Sequence, residues 1–269
     1  MSRGERGFAL LIVLWSLGLL ALLGSQLGAR ARTEGRIAFN LRADAQAEAA
    51  ADGAVHEAIF HLLEPPGRRW HAGGPAYRLA LAHGTAEISI SNEGGKINPN
   101  LASDAMLRSL IGQVAPAADP ATLAAAIEDW RSRPSRTPRP GGATAPQYKA
   151  AGRDYGPPGT AFESLDEVGE VLGVTPDILA AMRPHLSIYT QDDPMRSEDP
   201  VVARAIAETM ADQLDLSAAA VDDSSPVLAI TASVLEADGS RFSRRAVVEF
   251  VPDVSGRPFR ILAWETPGP

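Results

Sequence analysis

The chain has 269 residues, a net charge of −8 and no cysteine. That length leaves room for one large or two modest domains. The acidic balance argues against nucleic acid as the main partner, because phosphate binding needs a concentrated positive surface. Without cysteine there is no disulfide framework, thiolate zinc site or cysteine nucleophile.

The chain begins with a short leader carrying Arg3, Glu5 and Arg6, and then Gly7 and Phe8 open a run without charge that lasts to Ala29. As a helix this run is about 34 Å long, enough for a hydrocarbon core of roughly 30 Å. Ala29-Arg30-Ala31 has the small-x-small form of an ordinary signal-peptidase site, and a cut there would remove the run. From Arg30 to Leu63 no proline occurs, and Ala, Arg, Glu and Gln dominate. Apolar residues recur near helical spacing at Ile37, Leu41 and Ala45, then at Val55, Ile59 and Leu62. Pro65-Pro66-Gly67 stops the pattern. The stretch reads as one continuous helix, Phe8 to Leu63, or as an anchor and a separate amphipathic helix broken at Gly24, Gly28 or Gly35.

A hairpin follows, with Tyr77–Ala82 and Thr85–Ser91 flanking His83-Gly84. In its second arm Ala86, Ile88 and Ile90 alternate with Glu87 and Ser89. The far end supplies three more strands: Val227–Leu235, Phe242–Val251 after the Asp238-Gly239 turn, and Phe259–Trp264. Between them, about Asn92 to Asp223, helices are expected at Ala102–Val114, Pro120–Arg131, Leu165–Leu172, Pro176–Met182 and Pro200–Leu216. Ser164 is placed to cap the third through the amide of Glu167. Arg133–Gly142, rich in Pro and Arg, reads as a loop. Strands at both ends with helices between them predict an α+β fold with a helical domain set into the sheet.

Arg6-Gly7-Phe8 and the apolar run after it resemble the prepilin processing site of type IV pilins and type II secretion pseudopilins. Further segments resemble one branch, the K component of type II secretion. They are Asn92–Leu101 (NEGGKINPNL), Ala126-Ile127-Glu128-Asp129-Trp130, Ser164–Val168, Gly173-Val174-Thr175-Pro176 and Leu262-Ala263-Trp264. The resemblance implies a pilin-like long N-terminal helix packed on a small antiparallel sheet. A large, mostly α-helical domain of helix-hairpin-helix or SAM-like type is inserted in that sheet. The implied boundaries are a leader at 1–7, a transmembrane half-helix at 8–29 and a periplasmic half-helix at 30–63. The sheet region is 64–91 with 224–269, and the inserted domain is 92–223.

By the same resemblance, leader recognition falls to Arg6, and cleavage followed by N-methylation to Gly7 and Phe8. Most pilins and pseudopilins carry a glutamate five residues after the cut, thought to pair with the amino terminus of the neighbouring subunit; here Ile12 stands there. An unpaired acid at mid-membrane costs roughly 2.5–3.5 kcal/mol on insertion scales. A subunit without it inserts more easily but cannot neutralise the amino terminus above it, so it ends the stack. The resemblance therefore implies a minor pseudopilin at the tip of the pseudopilus that helps start filament assembly and protein export. It implies no catalytic residue.

The implied partners are the other minor pseudopilins, the prepilin peptidase and the inner-membrane secretion platform, with secreted substrates as a further contact and no nucleic acid. Charge does not orient the anchor, because Arg30, Arg32 and Arg36 balance Arg3 and Arg6. The inner membrane, with the bulk in the periplasm, follows from the resemblance. Calcium is associated with the family's helical domain, where the stretch after the Asp-Trp pair is usually acidic. Here Arg131, Ser132, Arg133 and Pro134 follow, so neither a metal ligand nor a cofactor is assigned. Asp192-Asp193 and Glu198-Asp199 are the densest remaining acids and read as a solvated loop.

Other motifs are weaker. His56 and His61 are five apart, so they diverge by roughly 140° on a helix and do not form a zinc-protease face. Gly94-Gly95-Lys96 lacks the first glycine and the Ser or Thr of a phosphate loop and reads as a tight turn. Glu163, Asp166 and Glu167 could form a carboxylate pair in an anchored periplasmic hydrolase, or serve as helix-start acids. Leu165–His185 resembles a helix-hairpin-helix, which would suit a DNA-uptake subunit, but Thr175 replaces the second glycine and the surroundings are acidic.

Overall fold

The computed structural model describes residues 3–133, 139–191, 194–211, 226–251, 256 and 258–267. Side chains of 3–12, 23–33 and 211 lie outside that description, and so do those of Arg6, Phe8 and Ile12. Asp192-Asp193 and the expected helical residues 212–216 lie outside it as well.

Helix α1 (Arg3–Leu63) is continuous over 61 residues, about 92 Å, and passes through Gly24, Gly28 and Gly35 without a break. The alternative of two separate helices is therefore set aside. No proline interrupts its ladder, and Pro65 ends it. In its C-terminal half, Ala43, Ala47, Ala51, Ala54, Val55, Ala58, Ile59 and Leu62 form one buried stripe. Spacings of three and four place them on one face, and the alanines let the helix lie close to a sheet.

Five antiparallel strands make that sheet, in chain order β1 (Tyr77–Ala80), β2 (Gly84–Asn92), β3 (Val227–Glu236), β4 (Arg241–Phe250) and β5 (Phe259–Glu265). The first arm stops at Ala80 instead of the expected Ala82, because the Leu81 amide bonds the Gly84 carbonyl and closes the turn. Gly84 lies against β3, where an added Cβ would be 2.3 Å from the Leu235 oxygen. Strands β2 and β3 pair from Gly84–Glu236 to Asn92–Leu228 although residues 93–226 separate them in the chain. Ile88, Ile90, Ile230, Ala232, Val234, Ala246 and Val248 face α1. Val227, Ala229 and Val247 face the other way, against Tyr189.

The intervening chain builds a second core from α2 (Asp104–Val114), α3 (Pro120–Arg131), α4 (Ala145–Ala150), α5 (Pro176–Met182) and α6 (Pro200–Ala211). Ser103, Asp119 and Thr175 accept amides at the starts of α2, α3 and α5. The helix expected at Leu165–Leu172 is only a 3-10 turn, Asp166–Glu170. Ser164 does not cap it; the Glu167 carboxylate instead accepts the Glu163 amide at 3.2 Å. Short α4 was not anticipated. Its signal is the Thr144–Gln147 spacing, in which the Gln147 side chain accepts the Thr144 amide at 3.1 Å.

Candidate functional site at the junction of the two cores

The segment Asn92–Leu101 leaves β2 and joins the sheet to the helical core. Asn92 accepts the Gly94 amide at 2.9 Å, and the Lys96 amide reaches the Glu93 carbonyl, so Gly94-Gly95 is a tight turn as expected. Ile97 forms a parallel bridge with Leu186, its amide bonding the His185 carbonyl and its carbonyl accepting the Ser187 amide. Buried Asn98 donates to the Thr190 carbonyl at 2.6 Å and accepts the Asn100 amide at 2.9 Å. Asn100 pairs reciprocally with the backbone of Phe162, at 3.0 and 2.7 Å. These side chains supply partners that no sheet or helix ladder could give this buried backbone.

Charge completes the junction. Glu93 is 1% exposed and is met by Lys96 at 2.7 Å and Arg245 at 3.1 Å. Two cations offset the cost of desolvating one carboxylate. Arg245 also reaches Glu265 at 3.0 Å, and Glu265 accepts the Tyr189 hydroxyl at 2.8 Å. Burial and that hydrogen bond push the Tyr189 phenol up to about 12. On the opposite side, His185 Nδ1 lies 2.5 Å from Asp199, whose carboxylate also accepts the Val201 amide at the start of α6. Burial opposes ionisation of Asp199, but His185 and the helix amides hold it below the usual carboxylate range.

Trp130, at the end of α3, stacks on Phe162 with centroids 6.0 Å apart and sits beside Tyr148 and Tyr155. Arg131 donates to the Pro99 and Ala102 carbonyls, each at 2.7 Å, and so ties the Glu-Asp-Trp segment to the junction. Glu128 and Asp129 face Arg139, at 3.1 and 2.7 Å. Calcium takes six to eight oxygens, and these acids meet guanidinium groups instead. Among the described residues no group of three or more His, Asp or Glu is placed to hold a metal. The described acids at the end of α3 do not fit the calcium that the family resemblance implies.

The remaining sequence motifs separate. Asp166 pairs with Arg183 on the surface, and the Glu167 carboxylate accepts the Glu163 amide. Thr175 accepts the Ile178 amide at 3.3 Å as the cap of α5, so its hydroxyl serves the helix start. His61 stacks on Trp70, and Trp70 on Tyr77, holding the α1 end to β1, while His56 bonds the Asp52 carbonyl. Arg6, Gly7, Phe8 and Ile12 lie in the helical backbone of α1, with their side chains outside the described residues. From Val13 to Leu22 the described side chains are exposed, and among the described residues no helix is long and apolar enough to cross a membrane.

The elements define a mixed protein, a long helix on a five-stranded antiparallel sheet with a separate helical core joined through Asn92–Leu101. Residues 80–191 match the family model of type II secretion system protein K. That range holds four of the segments that carried the resemblance, from Asn92–Leu101 to Gly173–Pro176; the leader and Leu262–Trp264 lie beyond it. A chain in the crystal structure of the GspK-GspI-GspJ complex of the enterotoxigenic Escherichia coli type 2 secretion system has a similar fold. It matches with a TM-score of 0.59 and 15% identity, covering 89% of this chain and all of that one. No curated protein matches the chain. The match over residues 80–191 supports the recognition of a type II secretion protein of the K family, and the solved structure shows the shared fold.

Proposed function

We propose that this protein is the minor pseudopilin that caps the type II secretion pseudopilus, helping to start the filament and to drive export across the outer membrane. The family match over residues 80–191 carries the reading, because it falls on the helical core and its junction. In this account α1 with the sheet is the pilin-like unit and residues 92–223 are an inserted domain. That insert gives the tip a bulk that blocks further subunits. Arg6 is read by the leader peptidase, Gly7 is the residue before the cut, and Phe8 becomes the methylated amino terminus. Ile12 leaves the subunit without the acid that would receive a subunit above it.

The exposed apolar run Val13–Leu22 supports residence in the inner membrane, with the bulk in the periplasm. Counterparts of GspI and GspJ are the proposed tip partners, with the secretion platform and exported proteins as further contacts. The protein is a substrate of its peptidase and no catalyst. Deleting the gene in its own host and restoring it tests this. Export is expected to fail and recover, and the protein to co-purify with two other minor pseudopilins. Unimpaired export after deletion would contradict the reading.

A further inference from the structure

Glu128 and Asp129 are adjacent acids at the end of α3, with side chains 17% and 10% exposed. Three of their four oxygens face guanidinium nitrogens. Arg139 Nε lies 3.1 Å from Glu128 Oε2, Arg139 Nη1 2.7 Å from Asp129 Oδ1, and Arg131 Nη2 3.6 Å from Glu128 Oε1. The fourth, Asp129 Oδ2, is buried without a hydrogen-bond partner. It abuts Gly142, where an added Cβ would stand 2.0 Å from it. The Gly142 amide in turn bonds the Arg139 carbonyl at 3.0 Å. Loop backbone therefore fills the space beside that oxygen. The sequence supplies no further acid from 130 to 153.

We propose that Arg139 is the resident cation of the helical core. Its planar fork spans both acids, offsets their charge together with Arg131 and pins the returning loop to the end of α3, so this core keeps its fold without calcium. A lysine could not serve equally, because an ammonium is a point charge and cannot present two donors in fixed directions to neighbouring carboxylates. The prediction holds whether or not the subunit caps a filament.

Thermal unfolding of the full-length chain in detergent, in excess EDTA and in millimolar calcium, tests it. The unsubstituted protein is expected to melt at the same temperature in both. Arg139→Gln is expected to melt roughly 2–8 °C lower in EDTA, since it leaves Asp129 without its cation and Glu128 with Arg131 alone. Arg139→Lys should fall between the two. Should Arg139→Gln not fold, the Glu128→Gln/Asp129→Asn double variant carries the test. It should fold and be insensitive to calcium, because it removes the need for a cation. A saturable rise in melting temperature of the unsubstituted protein with calcium would overturn the proposal. So would Arg139→Gln or Arg139→Lys melting like the unsubstituted protein in EDTA, or a double variant that fails to fold.

Discussion

The two cores solve the same burial problem with different materials. The sheet core is filled by alanine and β-branched residues, with Ala51, Ala54, Ala58, Ala232 and Ala246 beside Val55, Ile88 and Ile230. The helical core uses larger pieces, Trp130, Tyr148, Phe162, Met106, Leu107 and Met182. A flat sheet and a straight helix approach closely only if the facing side chains are small, whereas short helices joined by loops leave irregular spaces that aromatics fill. The sheet core also gains a charged clasp: Arg244 reaches Glu48 and Asp52 on α1, both at 2.6 Å. The consequence is a difference in where each core is vulnerable.

Truncation should therefore hurt the helical core most. Trp130→Ala is expected to cost about 3–5 kcal/mol, the range for a large buried aromatic, and denaturant unfolding would measure it. An equal loss from Ala54→Gly in α1, where only about 1 kcal/mol of helix propensity is at stake, would erase the contrast. Asn98→Ala attacks the junction instead. It leaves the Thr190 carbonyl and the Asn100 amide without their partner, so about 1–3 kcal/mol should be lost. The same substitution should increase hydrogen exchange at Ile97 and Ser187, whose amides cross between segments.

Arg244→Met sharpens the comparison from the other side. Asp52 and Glu48 are 35% and 50% exposed, so water screens them, and the loss should be only about 1 kcal/mol, with part of the packing against Trp264 and Phe242 kept. A loss as large as that of Trp130→Ala would make the clasp, rather than the alanine packing, the main support of α1.

The last effect, at Tyr189, is confined to high pH. Its folded value of about 12 lies above the ordinary 10, so the unfolded chain releases this proton first. The contribution is fully present below pH 10 and is lost as pH rises from 10 towards 12. Tyr189→Phe should flatten that part of a stability–pH curve recorded by circular dichroism; an unchanged slope would remove Tyr189 from the junction's balance.

Local pattern carried much of the fold. The absence of proline before Pro65 announced α1, and the alternation of Ile88 and Ile90 with Glu87 and Ser89 announced β2. Helices α3 and α5 span Pro120–Arg131 and Pro176–Met182 as expected, each opening on a proline. What pattern could not carry is the junction. Asn98 meets a carbonyl 92 residues away, and Arg244 meets an acid 192 away, so neither leaves a local signature. Buried Glu93 reads as a turn residue until Arg245 is seen beside it. Arg131 reads as a missing acid and Arg139 only as part of a loop, and the partners of neither are visible in the sequence. Ser164 and the acids after it suggest a longer helix, but Asp166–Glu170 is a 3-10 turn whose bonds, Val168 to Leu165 and Val171 to Val168, run over three residues.

The central claim, that α1 stays on the mature protein as an assembly element, is tested most directly at the amino terminus. Mass spectrometry of the protein recovered from its own host should find a chain beginning at methylated Phe8, with the helix to Leu63 retained. A chain beginning beyond Ala31 would show that the apolar half of α1 is removed as an ordinary signal peptide, and would contradict the pseudopilus account.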